Sequence, residues 1–292
     1  MRARDLAYDD DGILRAPWRI LVFLVATLVA LVVVHNVGYP IVAGTAWFVA
    51  RVRLALESWL YLAALLLAHA AAFRIAGGSW ELVGVSARAA RPALLGEWFV
   101  LGGLAVGIPA ALLAAVGWLR LAPAPEGSSL VAALRLLVVL APAALWEELL
   151  FRGYPFAVLR RAWGEGGALV ATSLAFGLLH LQNSGANLQA VGQVVFAGIW
   201  LGGVRLATGS LLAAFTAHLG WNWAMAAVLH TPVSGLGFVV PDYQLVDAGP
   251  DWATGGAWGP EAGLGATLGM TAALTYLIVR QRRTGSEMHD RA

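Results

Sequence analysis

The sequence contains no cysteine, which excludes disulfides, thiolate metal sites and a cysteine nucleophile. Lysine is missing as well: all 19 basic residues are arginine, and with the abundant alanine this bias points to a GC-rich prokaryotic genome. Charge of either sign is scarce. Only 12% of the 292 residues are charged, against about 25% in an average soluble domain, while 60% are hydrophobic. That balance places the chain among integral membrane proteins. Its arginines sit at the ends of apolar runs and read as topology signals rather than as a nucleic-acid surface. An internal repeat, a Gly/Ser linker and the HExxH zinc-helix signature are also missing. One membrane domain is the economical organisation.

What is present is a series of long apolar runs. Residues 18–34, 54–73, 98–118, 130–160, 168–181, 188–204, 210–229 and 262–279 read as spans, the fourth bending near Pro155. The fold class expected is therefore all-α, a polytopic membrane protein with about eight transmembrane helices. Residues 79–92, with Trp80 and Leu82 followed by Arg88 and Arg91, form an amphipathic stretch suited to the membrane surface. With the N-terminus inside and eight spans, only Arg51, Arg53, Arg120 and Arg135 fall outside, leaving 15 of 19 arginines on the cytoplasmic side. Both termini are then cytoplasmic by the positive-inside rule. The motif helix runs inward, so access from that same side is expected. The connection after residue 229 is about thirty residues of Gly, Pro, Trp and Asp, and a loop that long is functional or mobile.

The fourth run holds the unusual chemistry. Glu147, Glu148 and Arg152 interrupt an apolar helix, where each ionisable group costs about 2.5 to 3.5 kcal/mol on insertion scales. Glu148 and Arg152 stand four apart, acid first, and can neutralise each other on one helix face. Glu147 points about 100° away and has no local partner. Measured from the cytoplasmic helix ends, Glu147, His180 and His218 lie about 20, 18 and 12 Å deep at 1.5 Å per residue. All three fall near the middle of a core about 30 Å thick. Asn222, one turn beyond His218, shares its face. An acid, two imidazoles and an amide at one depth can hold a water, take its proton and stabilise an oxyanion. Glu147, His180 and His218 are equally a donor set for zinc with a water in the fourth position.

Three motifs carry a family resemblance. EELLFR at 147–152 matches EExxxR, FGLLH at 176–180 matches FxxxH, and HLGWN at 218–222 matches HxxxN. In this order the chain resembles the CPBP intramembrane proteases, the CAAX-protease and bacteriocin-processing (Abi) family. The likeness runs from about Leu95 to the last span and takes in DWATGGAWGPE before it. It divides the chain into residues 1–94 with two helices and the interfacial stretch, a catalytic membrane core at 95–280, and a cytoplasmic tail at 281–292.

The resemblance implies an endopeptidase that cuts a peptide bond in a membrane-associated or lipidated peptide. By motif position Glu147 is the base that activates water and His180 its partner. His218 and Asn222 form the oxyanion site, while Glu148 and Arg152 hold the motif helix in register and Phe176 opens the FxxxH motif. The family has metallo- and glutamate-type interpretations, so zinc is neither required nor excluded. Two other classes stay open: a non-catalytic scaffold or bacteriocin self-immunity factor, and a transporter or proton relay. Crowding of the polar residues into one half of the chain argues against paired transporter repeats.

Overall fold

The computed structural model describes residues 6–38, 40 and 46–289, with backbone alone at 46–52 and 283–289. Arg2, Arg4 and Arg291 of the orientation count, and the end of the expected tail, lie outside the described residues. The long helices are α1 (Ala16–Val33), α2 (Ala46–Ala76), α3 (Pro92–Ala115), α4 (Ser129–Arg152), α5 (Tyr154–Leu179), α6 (Leu188–Thr208), α7 (Leu211–Trp223) and α8 (Leu264–His289). Among the described residues, five segments are long and apolar enough to cross a membrane: Ala16–Gly38, Arg53–Ala76, Pro92–Ala115, Ser129–Gln182 and Leu188–Thr208. The fourth of these contains both α4 and α5.

Helix starts follow local chemistry. Pro17 and Pro92 occupy first-turn positions of α1 and α3, where a missing N–H costs nothing. Ser128, Asn187 and Ser210 cap α4, α6 and α7, their side chains accepting from Val131, Ala190 and Ala213 N–H at 3.3, 2.9 and 3.0 Å. All three motif segments lie on or directly after helices fixed in this way or by the α4–α5 junction.

That junction differs from the expected bend. α4 stops at Arg152 rather than running to Arg160, because the break falls at Gly153 and Pro155 opens the next helix. A proline inside a helix would collide with the carbonyl four residues back, whereas at a helix start it fits. His69 secures the break: its Nδ1–H donates to the Leu65 carbonyl at 2.7 Å, and its Nε2 accepts the Tyr154 N–H at 3.2 Å. The expected fifth span is the far part of α5, beyond a second break at Gly164.

The expected third span is shorter at its end, and the fold is not purely helical. α3 ends at Ala115, the chain turns at Gly117 with φ +80°, and Leu119–Pro123 leaves as strand β1. β1 pairs antiparallel with β2 (Tyr243–Asp247), with Leu121 opposite Leu245. The long connection before α8 is therefore an ordered ribbon and a set of short helical turns at Asp251–Thr254, Gly256–Trp258 and Pro260–Ala262.

Packing is inverted relative to a soluble protein. Leu28, Leu112 and Leu178 are exposed on the outside of the bundle, while Glu148 and Arg152 have no exposed surface. α7 lies at the centre, close against α3. A Cβ on Gly102 would collide with the Ala217 carbonyl, and one on Gly220 with the Phe99 carbonyl. Because Gly220 sits between His218 and Asn222, this contact sets their position. Gly220→Ala is expected to destabilise the protein by about 1–3 kcal/mol through overpacking, read as a lowered melting midpoint in detergent. An unchanged midpoint would contradict the close approach.

Candidate active site

α4 delivers the two glutamates to opposite environments. Glu148 turns inward, where its Oε1 accepts from Arg152 Nη1 at 3.1 Å and from His218 Nδ1 at 3.0 Å. A carboxylate only accepts, so Nδ1 carries the imidazole proton and Nε2 is left to face the other way. Arg152 is held from two further directions: Nη2 donates to the Gly198 carbonyl at 3.1 Å, and the guanidinium lies 4.4 Å from the Phe176 ring centre. Glu148 and Arg152 thus tie α4 to α6 and α7 as well as neutralising each other.

Glu147 faces a cavity. Its Oε2 lies 3.8 Å from His218 Nε2, so one imidazole is held between the two glutamates. The spacing is too long for a direct hydrogen bond, but a water could reach both atoms. His180, the expected partner of Glu147, lines the same cavity. Its Nδ1–H donates to the Phe176 carbonyl at 2.8 Å, and its ring packs edge-on to Phe176 at 4.7 Å. The same Phe176 ring meets His218 at 6.0 Å, so FxxxH supplies a post between the two imidazoles.

All four expected catalytic residues meet at one place. Glu147, His180, His218 and Asn222 line a cavity of about 570 Å³. Thr27 of α1 and Glu57 and Tyr61 of α2 complete its wall, so the first two helices contribute to the site although they carry none of the motifs. A narrower recess of about 30 Å³ continues from His180, His218 and Asn222 to Ser234 and Glu261.

Residues 129–224 match the family model described as type II CAAX prenyl endopeptidase, Rce1-like. Over this segment, about a third of the chain, the protein is similar to Rce1-like endopeptidases. This segment contains all three motifs and agrees with the resemblance read from them, and it supports a membrane-embedded protease of the CAAX type. No curated protein and no solved structure matches the chain.

Glu261 lies outside residues 129–224 and closes the DWATGGAWGPE phrase, but no role was expected of it. One of its oxygens accepts from both the Ser234 N–H and the Ser234 hydroxyl, and the other from Trp221 Nε1 at 3.2 Å. Asn183 donates to the Ser234 carbonyl at 3.0 Å. These bonds anchor the turn after α7 beside the catalytic residues. The only sequence signal was the glutamate in an otherwise small-residue stretch, GGAWGPE.

The fit of the three expected zinc donors can be judged from their placement. Among the described residues no three His, Asp or Glu side chains form a group that could hold a metal ion. His218 directs Nδ1 to Glu148, and only its Nε2 approaches Glu147. As placed, Glu147, His180 and His218 do not fit a zinc site, and no catalytic step is derived through one.

Proposed function

We propose that the protein is an intramembrane endopeptidase that hydrolyses a peptide bond in a membrane-associated or lipidated peptide, using a water activated by Glu147. The observation that carries this reading is the single cavity lined by Glu147, His180, His218 and Asn222. Water held between Glu147 and His218 Nε2 gives up a proton to the glutamate as it attacks the peptide carbonyl. Glu148, behind the ring, keeps Nε2 directed at the water and balances charge on the imidazole when it is protonated, as a carboxylate does in hydrolytic triads. The Asn222 amide lies where it can donate to the oxyanion. His180, its proton held on Nδ1, offers Nε2 as an acceptor to the N–H of the scissile peptide. The peptide C–N bond breaks as Glu147 passes the proton it took from water to the leaving nitrogen, which departs as the amine.

The membrane core in this reading has eight crossings. α4 and α5 divide the 54-residue apolar stretch Ser129–Gln182 into two. α7 continues as a π-helical turn, Ala224–Val228, and α8 returns the chain to the side of its start. Residues 95–280 form the catalytic core, and α1 and α2 close its cavity.

The test is cleavage of a fluorogenic peptide panel, lipidated members included, by detergent-solubilised wild type and Glu147→Gln, each with and without a zinc chelator. The expected result is cleavage by wild type that survives chelation, and a loss of about 10²–10⁴-fold in the variant, the usual contribution of a general base. Full activity in Glu147→Gln would overturn the reading. Loss on chelation alone would replace it with a metal-assisted one.

A further inference from the structure

The two ends of the helix bundle differ in charge, and the connections that line the cavity come from only one of them. At the first end, Arg19 donates to the Gly77 carbonyl at 3.2 Å, Arg205 to Leu82 at 3.3 Å and the Ser210 hydroxyl to Ala89 at 2.8 Å. Arg280 pairs with Glu97 nearby in the same layer. These contacts gather the start of α1, the end of α2, the turns at 77–91 and the α6–α7 junction into one face. Arg74, Arg88 and Arg91 belong to the same segments, and Arg160 and Arg161 to the first two turns of α5.

At the second end, β1 and β2 join the connections before α4 and before α8, and Asp242 N–H donates to the Pro125 carbonyl at 2.9 Å. Asn183 reaches Ser234, and Gln189 donates to the Ala262 carbonyl at 2.7 Å. This face carries Glu57, Glu126, Asp242, Asp247, Asp251 and Glu261, with Arg53, Arg120 and Arg135 as the arginines described on its connections and in the first turns of its helices. The positive-inside rule therefore assigns the first end to the cytoplasm and the second to the opposite side.

The catalytic cavity belongs to the second end. Gln182, Asn183, Ser234, Leu236 and Phe238 line it, all from connections on that face, and no residue of the arginine-rich connections does. Depth agrees. The Trp146 ring lies 5.5 Å from Tyr61, and Tyr61 is 15 residues from the end of α2 at Ala76. At 1.5 Å per residue that is about 22 Å from the arginine-rich face, in the far third of a core about 30 Å thick. A polar cavity of about 690 Å³ lies at the same end, lined by Gln244, Asp247 and Asp251, and shares Phe238 with the first.

From this we infer that the active-site cavity opens on the non-cytoplasmic side of the membrane and takes a peptide segment that has already been translocated. The expected cytoplasmic access is reversed by the same arginine count that places the termini inside. The inward direction of the motif helix does not decide access; what lines the cavity does. The substrate is then a peptide exposed outside, joined to an apolar or lipidated anchor in the bilayer, rather than a cytoplasmic chain end. This inference rests on the protease reading for its substrate but not for the side of access.

The absence of native cysteine makes single-cysteine labelling free of background. Gln244→Cys, Leu236→Cys at the cavity mouth and Arg88→Cys on the opposite face would be expressed separately in bacteria. Spheroplasts would then be treated with a membrane-impermeant maleimide. Positions 244 and 236 are expected to react in intact spheroplasts, and position 88 only after permeabilisation. The reverse pattern, or reaction at 236 only after permeabilisation, overturns the inference. An impermeant fluorogenic peptide added to the same spheroplasts carrying wild-type protein should be cleaved without permeabilisation. Cleavage only after permeabilisation overturns it too. Absence of cleavage under both conditions, and in detergent, defeats the protease reading instead, while the labelling still reports the side.

Discussion

Arg152→Ala is expected to cost the fold about 3–5 kcal/mol, the range for removing one partner of a buried ion pair. Neither Arg152 nor Glu148 has exposed surface, so water cannot take over the lost interaction. The deletion removes the 3.1 Å bond to Glu148, the 3.1 Å bond to the Gly198 carbonyl and the packing on Phe176 together. Glu148 would then be buried with His218 as its one remaining partner. Glu148→Ala should be damaging for the converse reason, stranding the guanidinium. The double variant should lose less than the sum of the two, since neither charge is left alone. Arg152→Lys should rescue little, because an ammonium cannot reproduce the planar fork that reaches two acceptors and lies on a ring. Melting midpoints in detergent would read all four. A stable Arg152→Ala protein would show that the pair is incidental to the fold.

This pair also marks how far the sequence was legible. Its spacing and sign predicted Glu148–Arg152 from the helical period alone, and the three motifs named the residues that line the cavity. Local rules sufficed because each motif spans little more than one helical turn. The partners supplied by other helices were not accessible in that way. Nothing in HLGWN says that His218 stands within 3.8 Å of Glu147; that depends on the closeness of α7 to α3 at Gly220 and Gly102. The roles of His69 and Glu261 could not be read, even with Glu261 closing DWATGGAWGPE, because their work is to bond backbone and side chains distant in the chain, at 154 and 234. The β ribbon was hidden for the same reason: five-residue strands more than a hundred positions apart look like loop until they are paired. Proline positions misled at Pro155, where the residue that would bend a continuous helix instead begins a new one.

Asn222→Ala should remove about 10²–10³ from kcat, the cost of one oxyanion donor, while leaving the protein folded. Asn222 lines both the main cavity and the narrow recess, and among the described residues its side chain makes no hydrogen bond. An amide kept at bilayer depth without a partner is costly unless something else is bound there. Of the other amides that line the cavity, Asn183 is bonded to Ser234, and Gln182 is exposed on the connection after α5. Asn222 is the amide on the same helix face as His218, and its loss should fall on the step in which charge develops on the carbonyl oxygen. The signature is a lowered kcat with KM nearly unchanged, since the interaction strengthens only in the transition state. Asn222→Asp makes a sharper comparison, replacing a donor with a negative charge where negative charge must form, and should be at least as inactive as alanine. If instead KM rose and kcat held, Asn222 would be a ground-state contact to the peptide, and the oxyanion would need its donor from another group in the cavity.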